Sequence, residues 1–587
     1  VFTFVIGGMW GAKYYKLDNF ATVEPFLIAY FVIYLAIAVL FALRHGSDKS
    51  GFVDGTLVFG LPVVAFAYQM QLVEPYANAR AVSAIIVAIV YGGLATWLLR
   101  RREATARLLC EAVLALTVGF GTIAIPLALD AQWTAAAWAL EGAGLVWVGL
   151  RQSRLLAQAA GVALQVVASV ILVLEYAELT TTPVLVNGRT LGGAMLAMAA
   201  FYSGAILQRR APADSEPHGL ASVGLVLLGT AWWYITALQE LDRNAPDAYA
   251  LSMAVIFCAA SAAAVHVLAQ RFRVSRLNLA AAALTPLLLW AAIAWVDMKT
   301  HPSQDLGFLA WPAALVAQLW LADRMKTWHE TFAAVAAHAA LWLGAALLAW
   351  DAHWALGKLA PYSVWAWTGV IAALALVGYI AARFAPGTRF DMLARWGAGV
   401  LLFAAFVLAV AFQFGSRGDP RPLPYLPLAN PLDVVTLAVA GALMLWYRAH
   451  GAAVQLANVS ERSWWTALAV LGFIVVTMTT VRTFVHWAEV PHDFDAVMQA
   501  DGLQAALSIV WATLAVAAMF GGARITKRAV WVTGAVLMAI VVGKLVLIDL
   551  GNTGTVARIV SFIGVGVLLL VIGWLAPLPA RATAEAT

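Results

Sequence analysis

Apolar segments of about 20 residues recur at intervals of about 30 residues along the whole chain of 587 residues, and each is long enough to cross the ~30 Å hydrocarbon core of a bilayer as an α-helix. The segments lack the period-2 alternation of a membrane-spanning strand. A backbone in lipid must also satisfy its own hydrogen bonds, which a helix does within one segment. The sequence therefore predicts an all-α fold, a polytopic transmembrane helical bundle of about 19 to 20 spans.

The composition excludes an ordinary soluble protein. Hydrophobic residues make up 63% of the chain and charged residues 11%, whereas a soluble domain carries about 25% charged residues. Cys110 and Cys258 fall inside apolar segments, so neither a disulfide framework nor metal-ligand spacing is visible. The chain has no Walker loop, HExxH motif, nucleophile elbow or dinucleotide fingerprint. We expect no metal and no cofactor, and a non-enzymatic function is favoured over an enzymatic one.

The loops between the spans alternate in charge. One set holds most of the 36 Lys and Arg residues, in short clusters such as 100–107 and 151–154, and the positive-inside rule assigns it to the cytoplasm. Because no single basic face results, the net charge of +5 does not indicate a nucleic-acid partner. The predicted organisation is a transmembrane domain, 1–576, followed by a short polar cytoplasmic tail, 577–587. Val1 opens directly into an apolar run, which predicts that the domain is N-terminally incomplete.

Two predicted helical hairpins, 132–176 and 505–549, resemble each other without gaps. The alignment pairs tryptophans and glycines of the two segments: Trp138 with Trp511, Gly149 with Gly522, and Gly161 with Gly534. A parallel internal repeat is one interpretation. The alternative is that two hairpins with small packing residues and a basic turn are similar by chance.

Several strings are more specific than general hydrophobicity. They are FTFVIGGMWGAKYY, AIPLALDAQWTAAAWALEGAGLVWVGLRQ, PLPYLPLANPLD and KLVLIDLGNTGTVARIVSFIGVGVLLLVIGWLAPLP. Through these strings the whole chain resembles the bacterial predicted membrane-protein family called domain of unknown function 2339. The resemblance implies a multi-pass protein of the Gram-negative inner membrane, usually longer at its N-terminus than this chain. It implies no activity.

Polar residues inside the spans are functional candidates, because a charged group there costs ~2.5 to 3.5 kcal/mol on insertion scales. Glu141 and His338 lie near the middle of their predicted spans, and Gln165 lies in the span after Glu141. Glu141 is interpreted either as a carboxylate that binds a proton or cation, or as a structural residue that hydrogen-bonds Gln165 or a hydroxyl group on a neighbouring helix. His338 is favoured as a packing residue over a ligand.

Charged residues also gather near span ends at the membrane face opposite the basic loops. They are Lys544, Asp549, Arg558, Arg482, Asp130 and Asp433. This outer-face charged cluster is interpreted either as a site for an anionic head group or glycan, or as an ion-pair network that fixes the last hairpin. Asp549 and Arg558 are expected to pair with at least one residue of a distant span.

Two outward loops carry further candidates. Loop 486–495 concentrates His and carboxylate side chains without a fixed metal-binding pattern, so a solvated loop is favoured over a metal site. Segment 420–431 is rich in proline and predicts an extended connection, with Pro431 in the first turn of the next helix. Its apolar side chains suit either packing on the bundle or a periplasmic protein partner, and a plain connecting loop is favoured.

Three functions fit these features. In order of preference they are a transporter or flippase-like core that handles a cell-envelope lipid or glycan, a non-catalytic membrane scaffold that assembles periplasmic or membrane partners, and a membrane acyl or glycosyl transferase. A polar cavity that reaches Glu141 would favour the first function, with membrane lipids as partners. A filled bundle with an exposed apolar groove would favour the second.

The charge alternation predicts that loops 100–107 and 271–276 and the C-terminus face the cytoplasm, while loops 416–433 and 487–499 face the periplasm. A single cysteine introduced at position 104 should therefore resist an impermeant thiol reagent in intact cells, whereas a cysteine in loop 487–499 should react. Labelling at position 104 in intact cells would contradict the assignment.

Overall fold

A computed structural model describes most of the chain, and all statements below concern the residues that it describes. These are 2–45, 51–76, 78–101, 107–128, 131–174, 177, 182–210, 216–387, 390–452 and 461–545, with four isolated positions at 563, 566, 567 and 570. Within these ranges the chain forms α-helices, loops and short helical turns, and no strand. The residues group into two compact units, Val1–Leu284 and Thr285–Thr587.

The first unit contains eleven described helices. They are α1 (Phe2–Tyr14), α2 (Phe20–His45), α3 (Gly51–Leu72), α4 (Ala79–Arg101), α5 (Arg107–Ala128), α6 (Ala131–Arg151), α7 (Leu155–Leu174), α8 (Gly188–Arg210), α9 (Glu216–Asn244), α10 (Ala250–Phe272) and α11 (Asn278–Ala282).

The second unit contains most of α12 and the described helices that follow it. They are α12 (Leu284–Met298), α13 (Gly307–Met325), α14 (Glu330–Leu359), α15 (Trp365–Phe384), α16 (Ala398–Gly415), α17 (Pro431–His450), α18 (Glu461–Trp487), α19 (Phe494–Gln499), α20 (Asp501–Arg524) and α21 (Arg528–Lys544).

The predicted all-α polytopic fold is confirmed. Thirteen of the described helices are long and apolar enough to cross a membrane. The predicted span 276–297 corresponds to the candidate span Ser275–Met298, in which a turn at Ala283 separates α11 from α12. The predicted span 556–576 lies almost entirely outside the described residues.

Burial along these helices is the reverse of that in a soluble bundle. Large apolar side chains such as Ile89, Ile293 and Val316 are exposed, while small residues such as Ala262 and Ala345 are buried. Small residues let helix backbones approach closely where the hydrophobic effect does not drive helices together, and lipid solvates the apolar faces. The described helices therefore have the surface of a multi-pass membrane protein.

The α6–α7 and α20–α21 hairpins turn in the same way. Ser153 and Thr526, at equivalent positions of the alignment, both have a left-handed backbone, with φ of 56° and 54°. The next amide donates back to a glycine carbonyl in both cases, from Arg154 to Gly149 at 2.8 Å and from Lys527 to Gly522 at 3.0 Å. These are the hydrogen bonds of a helix C-terminus closed by a left-handed residue.

The helix contacts within the two hairpins also correspond. A Cβ atom on Gly161 would lie 2.5 Å from the carbonyl oxygen of Gly142 on α6, and a Cβ atom on Gly534 would lie 2.7 Å from the carbonyl oxygen of Ala515 on α20. Gly142 and Ala515 are themselves equivalent in the alignment. Each hairpin therefore depends on a glycine for its closest backbone contact, and a repeat remains our interpretation of this likeness.

We expect Gly161→Val to destabilise the protein by about 1 to 3 kcal/mol, because the added atoms meet the backbone of α6, which cannot move aside without separating the hairpin. The matched control is Gly144→Val on α6, where a Cβ atom would meet no heavy atom within 4 Å. Heating the purified variants in detergent and measuring the monodisperse fraction by size-exclusion chromatography provides the test. Equal thermal midpoints for the two variants would contradict the close contact.

Candidate functional site

Glu141 lies on α6 and faces α5. Its carboxyl group accepts a hydrogen bond from the Thr122 hydroxyl, and the indole of Trp138 donates to the Thr122 carbonyl at 3.1 Å. The second carboxyl oxygen is buried and has no hydrogen-bond partner among the described residues. Of the two structural partners expected from the sequence, the structure places the hydroxyl of a neighbouring helix, and not Gln165, against this carboxyl group.

Gln165 and His338 also lie in helix contacts. Gln165 is fully buried, and its amide donates to the Ser203 hydroxyl of α8 at 2.8 Å. His338 uses Nδ1 at 2.7 Å from the Ala334 carbonyl of its own helix, and its ring packs beside Trp342. The geometry of both side chains is that of intramembrane packing.

Arg482 and Asp433 form the most buried ion pair in the described part of the chain. Arg482 on α18 donates from Nη1 to the Asp433 carboxylate of α17 at 2.7 Å, and the two side chains are 1% and 0% exposed. Arg482 Nη2 donates to the Gln413 side chain at 2.7 Å and to its backbone carbonyl at 2.8 Å. Thr479 donates to the other carboxylate oxygen at 3.0 Å. Both charges are thus paired and hydrogen-bonded, as buried charges must be.

The same arginine organises the loop that follows α16. Gly418 has a left-handed backbone with φ of 63°, and a Cβ atom there would lie 2.8 Å from the Arg482 side chain. The Gly418 carbonyl accepts a hydrogen bond from Asn430, which also caps α17. Only glycine combines this backbone conformation with this close approach. The proline-rich loop is therefore fixed to the buried ion pair at both of its ends.

The middle of this loop reaches back to the helices. Tyr425 is buried and donates to the Thr479 carbonyl at 3.2 Å. Arg421 donates from Nε and Nη2 to the same oxygen of the Asp419 carboxylate. Burial raises the pKa of the Asp419 carboxyl, but the hydrogen bonds and charge of Arg421 outweigh burial and bring the pKa below its ordinary value. Leu423 stays exposed, as do Leu426 and Leu428.

The other members of the outer-face charged cluster are not brought to this ion pair within the described residues. Lys544 donates to the Ser508 hydroxyl at 2.8 Å and to the Gln504 carbonyl at 3.0 Å, both on α20. Asp130, Asp549 and Arg558 lie outside the described residues, as does the expected pairing of the last two.

Loop 486–495 is also organised by packing. The His486 ring stacks on Tyr425 with ring centroids 4.5 Å apart, and the Asp493 side chain caps α19. Burial and the charges of Arg482 and Arg417 lower the pKa of His492, which favours the neutral ring. Among the described residues, no group of three His, Cys, Asp or Glu side chains could hold a metal ion.

Two carboxylates that accept hydrogen bonds from loops were not recognised in the sequence. Glu240, near the end of α9, accepts hydrogen bonds from the Leu185 amide at 2.7 Å and the Thr190 hydroxyl at 2.9 Å. Asp351 on α14 accepts from the Ser303 hydroxyl at 2.6 Å and lies 3.1 Å from the His301 ring. The signal available was a carboxylate one to two turns before a helix end, opposite a loop rich in Asn, Ser, Thr or His. It was overlooked because both residues lie just beyond the predicted spans.

Helices α1, α2 and α3 surround a cavity of about 1070 Å³, which the sequence did not predict. Most residues along its length are apolar or small: Phe4, Gly7, Gly8, Trp10, Gly11, Ala12, Val23, Phe26, Leu27 and Leu72. Four residues with hydroxyl groups also line it, namely Thr3, Thr22, Tyr30 and Tyr68. At Gly7 and Gly11 a Cβ atom would meet no heavy atom within 4 Å, so the helix backbone itself forms that wall. Glu141 is not among the lining residues, so this cavity is not the one that was expected to reach Glu141.

One end of the cavity is polar. Tyr15, Asn19, Gln71 and Glu74 line it where α1, α2 and α3 meet their loops. Burial, with nearby Tyr76 and Glu24, raises the pKa of Tyr15, so its hydroxyl stays protonated. That hydroxyl is buried and has no hydrogen-bond partner among the described residues. The cavity is therefore amphipathic along its length.

Comparison with known proteins supports the expected family. A family model described as "Predicted membrane protein (DUF2339)" matches residues 1–579. The chain belongs to the DUF2339 family. No curated protein and no solved structure matches the chain. For this DUF2339 protein the functional argument therefore rests on the geometry of its own residues, since the family is defined only as membrane proteins of unknown function.

We expect Asp433→Asn to destabilise this DUF2339 protein by about 3 to 5 kcal/mol, because it leaves the Arg482 charge buried without a counter-charge. The matched control is Asp323→Asn, which removes the carboxylate of the more exposed Asp323–Lys326 pair and should cost no more than about 1 kcal/mol. Thermal midpoints of the purified proteins in detergent compare the two variants. A midpoint of Asp433→Asn equal to that of the control would show that the buried pair is not needed for stability.

Proposed function

We propose that this protein is a transporter or flippase-like core that handles a cell-envelope lipid in the inner membrane, and that the α1–α3 cavity binds the lipid. The amphipathic cavity is the observation that carries the proposal. An apolar chamber with a few convergent polar groups is the usual form of a small-molecule site. A lipid matches the cavity, because its apolar tail fits the apolar part of the wall and its polar head group fits the polar end.

The length of the cavity supports a lipid tail. The lining residues of α1, with Tyr15 directly after it, run from Thr3 to Tyr15, which is about 18 Å at the helical rise of 1.5 Å per residue. This exceeds half of the ~30 Å hydrocarbon core and so corresponds to about one leaflet. A tail from one leaflet would lie along Gly7 and Gly11 with its head group beside Tyr15 and Glu74.

The contacts of the intramembrane polar residues suit a structural role for those residues. Glu141 bonds Thr122 and Gln165 bonds Ser203, both in helix contacts. The proposal therefore assigns lipid handling to the cavity and assigns no proton or cation coupling to Glu141.

A scaffold that assembles periplasmic partners is the second candidate. The observation that favours it is the loop 416–430, which is hydrogen-bonded to Arg482 at Ser416 and exposes three leucine side chains. A transferase is less favoured. In the neighbouring Ser303, His301 and Asp351 side chains, the serine hydroxyl donates to the carboxylate rather than to the imidazole, so the histidine is not placed to take the serine proton.

The proposal is tested by photolabelling the full chain in nanodiscs with phospholipids that carry a diazirine at the end of one acyl chain. We expect labelled peptides from α1, α2 and α3, and we expect the variant Gly7→Leu/Gly11→Leu to lose this labelling, because its side chains fill the open cavity. Gly224→Leu on α9 is the matched control, since a Cβ atom there also meets no heavy atom within 4 Å and lies outside the cavity.

The same variants are then compared for transbilayer movement of a fluorescent phospholipid in proteoliposomes. Filling the cavity should slow the movement, whereas Gly224→Leu should not. Labelling of the α1–α3 peptides that persists in the filled variant would show that the lipid lies elsewhere. Labelling that is lost without a change in lipid movement would favour a lipid-binding scaffold over a transporter.

A further inference from the structure

The polar end of the cavity has a defined charge. Among the described residues that line the cavity, Glu74 is the only Asp, Glu, Lys, Arg or His. The neighbouring carboxylate of Glu24 accepts a hydrogen bond from the Gln69 amide at 2.8 Å, so it is already engaged. A wholly anionic head group would therefore meet a carboxylate and no cation in the lining itself.

A cation is nevertheless present one step outside the lining. Arg80, in the first turn of α4, forms an ion pair with Glu74 at 2.8 Å. Their side chains are 36% and 62% exposed, so the pair is accessible and contributes little to stability by itself. It presents a positive and a negative group side by side at the mouth of an apolar chamber.

We propose, resting on the lipid function proposed above, that the cavity selects a zwitterionic phospholipid whose head group carries a phosphate and a primary ammonium. The ammonium group pairs with Glu74 and the phosphate with Arg80, so the dipole of the head group opposes the dipole of the ion pair. The Tyr15 hydroxyl, which lines the cavity and has no partner among the described residues, donates to the phosphate or ester oxygen atoms.

This arrangement also specifies a leaflet. Residues 73–78 connect α3 and α4 at the polar end of the cavity, and the charge alternation of the loops predicts that this end faces the periplasm. The bound phospholipid would then belong to the outer leaflet of the inner membrane.

The test is a competition between two photoactivatable lipids with the same diazirine acyl chain, phosphatidylethanolamine and phosphatidylglycerol, on the full chain in nanodiscs. We expect the ethanolamine lipid to label the α1–α3 peptides about fivefold more, the order expected for one solvent-exposed ion pair. Glu74→Gln should remove the preference without removing the labelling. Asp391→Asn, which removes the carboxylate of the similarly exposed Asp391–Arg395 pair, should keep it.

Each result distinguishes the head-group proposal from the lipid function. Equal labelling by the two lipids, or stronger labelling by the glycerol lipid, overturns the head-group proposal and leaves the lipid function standing. Competition by unlabelled diacylglycerol as effective as that by unlabelled phosphatidylethanolamine also overturns it, because only the tail is then recognised. Absence of labelling on α1–α3 with either lipid overturns the lipid function itself.

Discussion

A polar group inside hydrocarbon must find its partner within the protein, and this constraint organises the described structure. It makes the spans helical, and it also determines how the loops are held. Carboxylates near helix ends tie loops to the helices: Glu240 accepts from the Leu185 amide and Asp351 from the Ser303 hydroxyl. The Arg482 side chain, which pairs with Asp433, also donates to the Ser416 carbonyl of the loop after α16. Each loop backbone is thus tied to a charge that is itself buried or half-buried in helices.

The helices could be predicted because their determinants are local. Length and hydropathy identify a span regardless of its neighbours. Helix ends are predicted less well where the sequence becomes polar before the helix stops. The span 328–350 continues as α14 to Leu359, because residues beyond the membrane boundary, including Asp351, still form helical hydrogen bonds and find partners in a loop. The turn at Ala283, three residues before Pro286, was not predicted, because a proline can also lie inside an unbroken helix, as Pro62 and Pro312 do.

The candidate site could be predicted only in part, because sequence position determines depth more readily than direction around a helix. Arg482 and Asp433 were both recognised as charges near one face, and they do form a pair. The partners that complete it, Gln413 and Thr479, are ordinary polar residues whose role depends on three helices meeting. The cavity could not be predicted from the sequence. It exists because Gly7 and Gly11 have no side chains to fill the space beside α1.

The same glycines could instead form a contact site for another helix, but the geometry does not favour this interpretation. Gly7 and Gly11 have the four-residue spacing that lets two membrane helices approach closely. In this structure α1 is instead held beside α3 by Tyr68, which packs on Gly8 and donates to the Phe4 carbonyl at 3.0 Å, while the Gly7 and Gly11 face meets open space. A helix seated on that face would be apolar along its length, and it would not explain why Tyr15, Gln71 and Glu74 gather at one end. A lipid explains both features, because it requires a smooth apolar wall for its tail and hydrogen-bonding groups only at its head.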